Sequence, residues 1–130
     1  MLFLGIDPGL ASLGYGIIEE NGHRLKCIDY GVVNTKSTME ADQRLLKLYQ
    51  RVDEILTTHQ PDYMVLESLF FAKNVKTAIA VGQARGVVIL AGAKRGIPYC
   101  EYTPLQVKKA ITGYGQAAKR QIQELVKSIL

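Results

Sequence analysis

The chain has 130 residues, 48% of them hydrophobic, and a formal net charge of +4. This size and apolar share fit one folded domain and are not typical of a disordered chain. The sequence contains no run of about 18 consecutive apolar residues and no secretory leader, so we predict neither a membrane span nor export. The positive charge slightly favours a polyanionic partner.

The two cysteines, Cys27 and Cys100, lie far apart and match no metal or redox spacing. We therefore expect two buried thiols in a reducing, cytoplasmic environment.

The N-terminal third reads as three strands. Apolar runs predict strands at Leu2–Asp7 and Gly14–Glu20, and a third strand is predicted at Arg24–Asn34. Asn21-Gly22 between the last two is a hairpin signal. The three strands should therefore pair in antiparallel fashion.

A helix and a buried strand should follow. Over about residues 39 to 59, apolar residues recur at helical spacing and form one stripe: Leu45, Leu48, Tyr49, Val52, Ile55 and Leu56. Gln60-Pro61-Asp62 ends this helix. The short apolar run Tyr63–Leu66 then leads to Glu67 and indicates a buried parallel strand.

The second half alternates between helices and a strand. A helix is predicted over 74–94, a strand at Pro98–Tyr102, and further helices beginning near 104 and 117. Ala78, Gly82 and Gly86 share one face of the first helix, where small residues permit close approach of a sheet, a helix or a second subunit. Together the elements predict an α/β fold with a mixed sheet.

Two carboxylates follow predicted buried strands that should be parallel neighbours. Asp7 precedes Pro8-Gly9, and Glu67 ends the strand after the first helix. Sites in open α/β sheets form at the carboxyl ends of strands, and two acids there can share a hard divalent cation such as Mg²⁺. The alternatives are a turn aspartate that caps its own backbone and a surface glutamate.

Four segments, in order along the whole chain, resemble the RuvC crossover-junction endonucleases. The first is LGIDPGLASLGYGII. The second, PDYMVLESLFFAKN, matches an acidic motif followed by Phe-x-Ala-Lys-Asn. The third is AVGQARGVVILAG and the fourth YTPLQVKKAITGYGQAAKRQI.

This resemblance implies a single ribonuclease-H-like domain over residues 1–130, with three antiparallel strands followed by parallel ones. It implies a homodimer that nicks two like-polarity strands of a four-way DNA junction in recombination and repair, together with a branch-migration motor complex. It also implies two Mg²⁺ ions per active site, with Mn²⁺ as an alternative. Asp7 would bridge these metals and Glu67 would ligate one of them.

The family's site has four acids, and the last two lie in a final helix with an Asp-Ala-x-Asp-Ala pattern. This sequence stops at Leu130, before that motif, and Glu124 does not match it. We therefore expect an incomplete C-terminal helix, half of the metal ligands and impaired cleavage.

The resemblance also assigns DNA contacts. Phe70, Phe71, Lys73 and Asn74 form a predicted loop after the second acidic strand. Alternation sends one of two adjacent aromatic side chains outward, where it can stack on an unpaired base, and the resemblance assigns this to Phe70. The alternative is that both phenylalanines are buried under the helix.

Four basic residues flank the glycine-containing segment 112–116, namely Lys108, Lys109, Lys119 and Arg120. They can follow a phosphate backbone or form a solvated face, and the resemblance favours phosphate contacts for Lys108 and Lys119. Arg85 is left open between a DNA contact and an ion pair at a dimer interface.

Two other classes fit parts of the sequence. An actin-like or sugar-kinase-like nucleotide-binding domain also opens with a strand, an aspartate and a hairpin, but such proteins need two domains of this kind. A non-catalytic junction-binding module would share the fold of the nuclease without its chemistry.

Overall fold

The computed structural model describes residues 1–67 and 74–102. Five strands and two helices lie in this part of the chain, in the order β1 (Leu2–Asp7), β2 (Ser12–Asn21), β3 (Arg24–Asn34), α1 (Ala41–His59), β4 (Tyr63–Glu67), α2 (Val75–Lys94) and β5 (Tyr99–Tyr102). The helices predicted near 104 and 117, including the incomplete C-terminal one, lie outside the described residues.

The strands form one mixed sheet in the order β3-β2-β1-β4-β5. β1, β2 and β3 pair in antiparallel fashion, whereas β4 pairs parallel to β1 on one side and to β5 on the other. Gly22 has a φ of 64° in the hairpin turn between β2 and β3, a conformation that glycine adopts without strain. The predicted mixed α/β sheet is confirmed.

One face of the sheet carries the core. Alternate strand residues are fully buried and pack with the apolar stripes of both helices in a single cluster; its largest fully buried members are Leu4, Leu13, Ile17, Leu48, Val52, Leu56, Met64, Leu66 and Val88. Burial of each such side chain contributes about 1.5–3 kcal/mol. This cluster fixes β1 and β4, the two strands that end in carboxylates, as the rigid centre of the molecule.

Helix α2 approaches the sheet closely at Gly92. A Cβ atom there would lie 2.6 Å from the Sδ atom of Met64, so glycine allows the helix to pack directly on β4. At Gly82 and Gly86, by contrast, no described atom lies within 4 Å of such a Cβ. Neither a described strand nor a described helix therefore makes the close approach predicted at these two glycines. A second subunit, the third predicted partner, stays a prediction.

The outer face of α2 is apolar and exposed at Val75, Ile79 and Leu90. By length and composition alone, this 20-residue helix would also suffice to cross a membrane. That is weak evidence for a span, because the core helix of a soluble protein passes the same test.

Thr35 ties the turn after β1 to the end of β3. Its backbone N–H donates to the carbonyl oxygen of Ala11 at 3.0 Å, and its hydroxyl donates to that of Leu10 at 2.5 Å. The Nε–H group of Arg44, near the start of α1, donates to the same hydroxyl oxygen at 2.9 Å. Thr35 is the one buried polar residue in the described part of the chain, and only 7% of it is exposed.

At the other end of β1, Asp62 connects β1 to the start of β4 through hydrogen bonds. Its carboxylate accepts a hydrogen bond from the Leu2 N–H at 2.8 Å, and its own N–H donates to the Leu2 carbonyl at 2.9 Å. These two bonds align the start of β4 with the start of β1. They therefore set the register that brings the far ends of the two strands side by side.

An exposed ion pair connects α1 to the segment after α2. The guanidinium group of Arg95 donates to both carboxylate oxygens of Asp53, at 2.7 and 3.0 Å. This bidentate bond holds the pKa of Asp53 below its ordinary value.

The cysteines differ from the sequence-based expectation. Cys27 is half-buried and Cys100, on edge strand β5, is exposed, and both are free thiols. The prediction of two buried thiols is wrong for Cys100, because the short strand β5 is exposed along its whole length.

Candidate active site at the ends of two parallel strands

Asp7 and Glu67 are the last residues of β1 and β4. In the parallel pairing of these strands Gly5 lies opposite Val65 and Ile6 opposite Leu66, so the two acids are the next residues on each side. Neighbouring strands lie about 4.8 Å apart. The two acids therefore end neighbouring strands side by side, as predicted.

Both acids lie on the face of the sheet that points away from α1 and α2. Leu4 and Ile6 on β1, and Met64 and Leu66 on β4, are buried in the core. Because side chains alternate along a strand, the residue after Ile6 or Leu66 lies on the opposite face. Asp7 is exposed and Glu67 half-buried there, so a fixed backbone presents both carboxylates to this face.

The turn after Asp7 depends on glycine at one position. A Cβ atom at Gly9 would lie 2.4 Å from the backbone oxygen of Ser12, which no side chain tolerates without a shift of the turn. At Gly5 the nearest atom, the Gly16 oxygen, would lie at an ordinary 3.9 Å. The fold of the turn therefore requires glycine at position 9, whereas contacts within the described residues leave room for a side chain at position 5.

The donor set fits a hard cation. Carboxylate oxygens are the ligands that Mg²⁺ and Mn²⁺ prefer, whereas soft metals favour thiolates. Within residues 1–67 and 74–102, no group of three or more His, Cys, Asp or Glu side chains is arranged to hold a metal. This part of the chain thus contains two acids, Asp7 and Glu67, at neighbouring strand ends.

Comparison with known proteins decides the family. The family model described as "Crossover junction endodeoxyribonuclease RuvC" matches residues 3–130. This chain belongs to the RuvC family. The predicted ribonuclease-H-like fold and the predicted nuclease class are thereby confirmed.

Curated relatives carry the same description. The RuvC protein of Desulforamulus reducens is 55% identical over 130 residues, which are 100% of this chain and 80% of that protein. The RuvC protein of Alkaliphilus oremlandii is 53% identical over 130 residues, 100% of this chain and 79% of the relative. The chain is accordingly an endonuclease of DNA junctions, and its family is metal-dependent.

Solved structures agree with this assignment. Thermus thermophilus RuvC in complex with a Holliday junction substrate superposes with a TM-score of 0.94 and 34% identity, covering 100% of this chain and 79% of that one. The yeast mitochondrial Holliday junction resolvase Ydc2 superposes with a TM-score of 0.69 over 97% of this chain and 63% of the other. At 12% identity, the yeast protein supports the fold alone. Neither the kinase-like nor the non-catalytic alternative is favoured by these relatives.

Most of the predicted DNA-binding residues of this RuvC-family chain lie outside the described residues. These are Phe70, Phe71, Lys73, Lys108, Lys109, Lys119 and Arg120. Their roles stay predictions.

Asn74 and Arg85 are described, and each has a structural contact. The side-chain oxygen of Asn74 accepts a hydrogen bond from the Thr77 N–H at 2.8 Å and so caps α2. Arg85 forms an ion pair with Glu101 and thereby links α2 to β5 within one chain. These contacts leave their predicted roles at the DNA untested.

The sequence analysis did not predict a role for three residues near the candidate site: Thr35, Arg44 and Lys76. The position of Arg44 was predictable from the sequence, because it stands four residues before Leu48 and hence on the side of α1 that faces the core. The sequence does not single out Thr35 or Lys76, since a threonine after a strand and a lysine in a first helical turn are both ordinary.

Proposed function

We propose that this chain is the nuclease domain of a Holliday junction resolvase, in which Asp7 and Glu67 hold the catalytic cation. The observation that carries the proposal is the pair of acids at the ends of parallel neighbours β1 and β4, in a chain of the RuvC family. The substrate is four-way junction DNA, which the superposed Thermus thermophilus protein binds.

The fixed carboxylates bind and orient rather than react. By the resemblance to the family, Asp7, which is exposed at the end of the central strand β1, would contact two ions, and Glu67, which is half-buried, would contact one. Mg²⁺, with Mn²⁺ as a substitute and two ions per site, would activate water and stabilise the leaving oxygen. Because the carboxylates act only as ligands, hydrolysis needs no covalent intermediate with the protein.

The proposal includes a homodimer, since two cuts related by symmetry need two active sites. Support comes from the outer face of α2, where Val75, Ile79 and Leu90 are exposed and two glycines leave room for a second backbone. Sedimentation velocity should find a dimer for this chain and a monomer for Ile79→Glu, with Leu25→Glu on β3 as the control. A monomeric parent chain contradicts this arrangement.

Two further parts of the proposal rest on the family alone. The cuts would serve recombination and repair in the cytoplasm, downstream of a branch-migration motor complex that delivers the junction.

The test of the function separates binding from cutting. In the full-length protein, Asp7→Asn and Glu67→Gln should each lower the rate of junction cleavage in Mg²⁺ by roughly a hundredfold or more, the scale seen when one group that stabilises a transition state is removed. Junction binding, read by gel shift, should persist. The matched control is Glu20→Gln, because Glu20 is exposed at the opposite end of the sheet. Cleavage that survives Asp7→Asn would overturn the metal assignment.

A further inference from the structure

A groove of about 480 Å³ lies beside the turn that follows Asp7. One wall is the turn itself, from Gly9 to Ser12, and the other comes from the beginnings of α1 and α2, which contribute Arg44 and Lys76. Gly9 is two residues from Asp7 in the chain. The groove therefore lies on the helix side of the turn that follows Asp7, whereas the Asp7 carboxylate faces the other side of the sheet.

Two cations flank this groove. Among the described residues, the ion pairs involve Arg51, His59, Arg85 and Arg95, and no carboxylate pairs with Arg44 or Lys76. A groove lined by positive charges without acidic partners raises the local concentration of anions, so its charge is compatible with an anionic ligand.

Arg44 is held in place before any ligand arrives. It is half-buried, and its Nε–H group donates to the Thr35 hydroxyl at 2.9 Å. That hydroxyl in turn donates to the Leu10 carbonyl, so Arg44 and the turn are joined through one side chain. A guanidinium group anchored through Nε keeps its terminal nitrogens free to donate to two oxygens of an anion such as a phosphate.

Part of the groove lining is apolar, namely Leu10 on the turn and Ala80 and Val81 on α2. A lining that combines apolar side chains with two cations suits a ligand with a carbon ring and a charged phosphate, rather than a bare anion. The backbone N–H of Thr77, near the start of α2, adds little to anion binding, because the Asn74 side chain already accepts its hydrogen bond.

We propose that this groove binds one deoxyribose–phosphate unit of the junction DNA, with Arg44 and Lys76 contacting the phosphate and Leu10 beneath the sugar. The inference rests on the proposed function, because a junction must be the substrate. It adds to that function a backbone contact on the helix side of the Asp7 turn, which would position the strand for cutting.

The test measures binding of a fluorescent four-way junction by anisotropy, without divalent metal, from about 50 to 200 mM salt. Each lost phosphate contact should reduce the slope of log K against log salt by about 0.9. Lys76→Gln and Arg44→Gln should each weaken binding several-fold, and the double variant, which loses the single phosphate that both residues contact, should lower the slope by about 0.9.

The matched controls are Lys26→Gln and Arg24→Gln. Both residues are exposed on β3 at the hairpin end, opposite the Asp7 end of the sheet. Because Arg44 also contacts Thr35, its variants are checked for folding by circular dichroism, and Lys76→Gln decides the question if Arg44→Gln does not fold. Arg44→Lys should retain the slope but lose affinity, because the charge is kept without the planar group.

The outcomes separate this proposal from the one on which it rests. If the parent chain binds the junction and Lys76→Gln matches the control Lys26→Gln in both affinity and slope, the groove proposal is overturned. If the parent chain does not bind the junction at all, the proposed function fails instead.

Discussion

Thr35→Val removes the hydroxyl that ties the Asp7 turn to β3 and α1, while it keeps the size of the side chain. The substitution leaves the Leu10 carbonyl without its donor and the Arg44 Nε–H without its acceptor. A buried polar group that loses its partner costs about 1–3 kcal/mol. Thr35 is only 7% exposed, which favours the full cost of an unpaired group, whereas Arg44 can regain water, which reduces its share. We therefore expect a loss of about 2–4 kcal/mol in the free energy of unfolding.

Thr35→Ser is the matched control. It keeps both hydrogen bonds and removes one methyl group, so it should cost about 1 kcal/mol. Urea unfolding followed by far-ultraviolet circular dichroism measures both variants against the parent chain. If the valine variant is as stable as the parent, or the serine variant as unstable as the valine one, then the hydroxyl does not hold the turn.

Two glycines give further predictions about packing near the site. Gly9→Ala should lower the free energy of unfolding by about 1–3 kcal/mol, because the new Cβ would meet the Ser12 backbone oxygen at 2.4 Å. A urea titration measures this loss, and an unchanged midpoint would show that the turn can relax. Gly92→Ala should also destabilise the chain, since overpacking against buried Met64 outweighs a gain of about 1 kcal/mol in helix propensity. Gly86→Ala, with open space among the described residues, should instead raise the thermal midpoint when both glycine variants are measured in the monomeric Ile79→Glu background. The opposite order of these two helix variants would contradict the packing described for α2.

The fold could be predicted from local patterns. β1 and β3 begin and end where the sequence places them, because apolar alternation and the Asn21-Gly22 turn are both short-range signals. The parallel pairing of β1 with β4 followed from the helix between them, since such a crossover returns the chain in the same direction. The neighbouring acids at the strand ends were predictable for the same reason.

The surroundings of the acids were not predictable in this way. The contacts of Thr35 with Leu10 and Arg44 join residues 25 and 9 positions apart, and no periodicity encodes them. Arg85 and Glu101 likewise form an ion pair across two elements, which charge composition alone could not reveal. Such contacts depend on where helices pack on the sheet, and this is decided by the whole core.

The pairing of β1 with β4 has a consequence for the order in which the molecule assembles. The β2–β3 hairpin closes a turn of a few residues and can form early, whereas Leu2 and Asp62, which bond at the start of the β1–β4 ladder, are 60 residues apart. Long-range pairings of this kind carry a larger loop-closure entropy and slow the folding reaction. The two carboxylates therefore meet only once the central sheet is complete. A partly folded chain can carry a finished hairpin and a finished helix and still have no place to hold a catalytic ion.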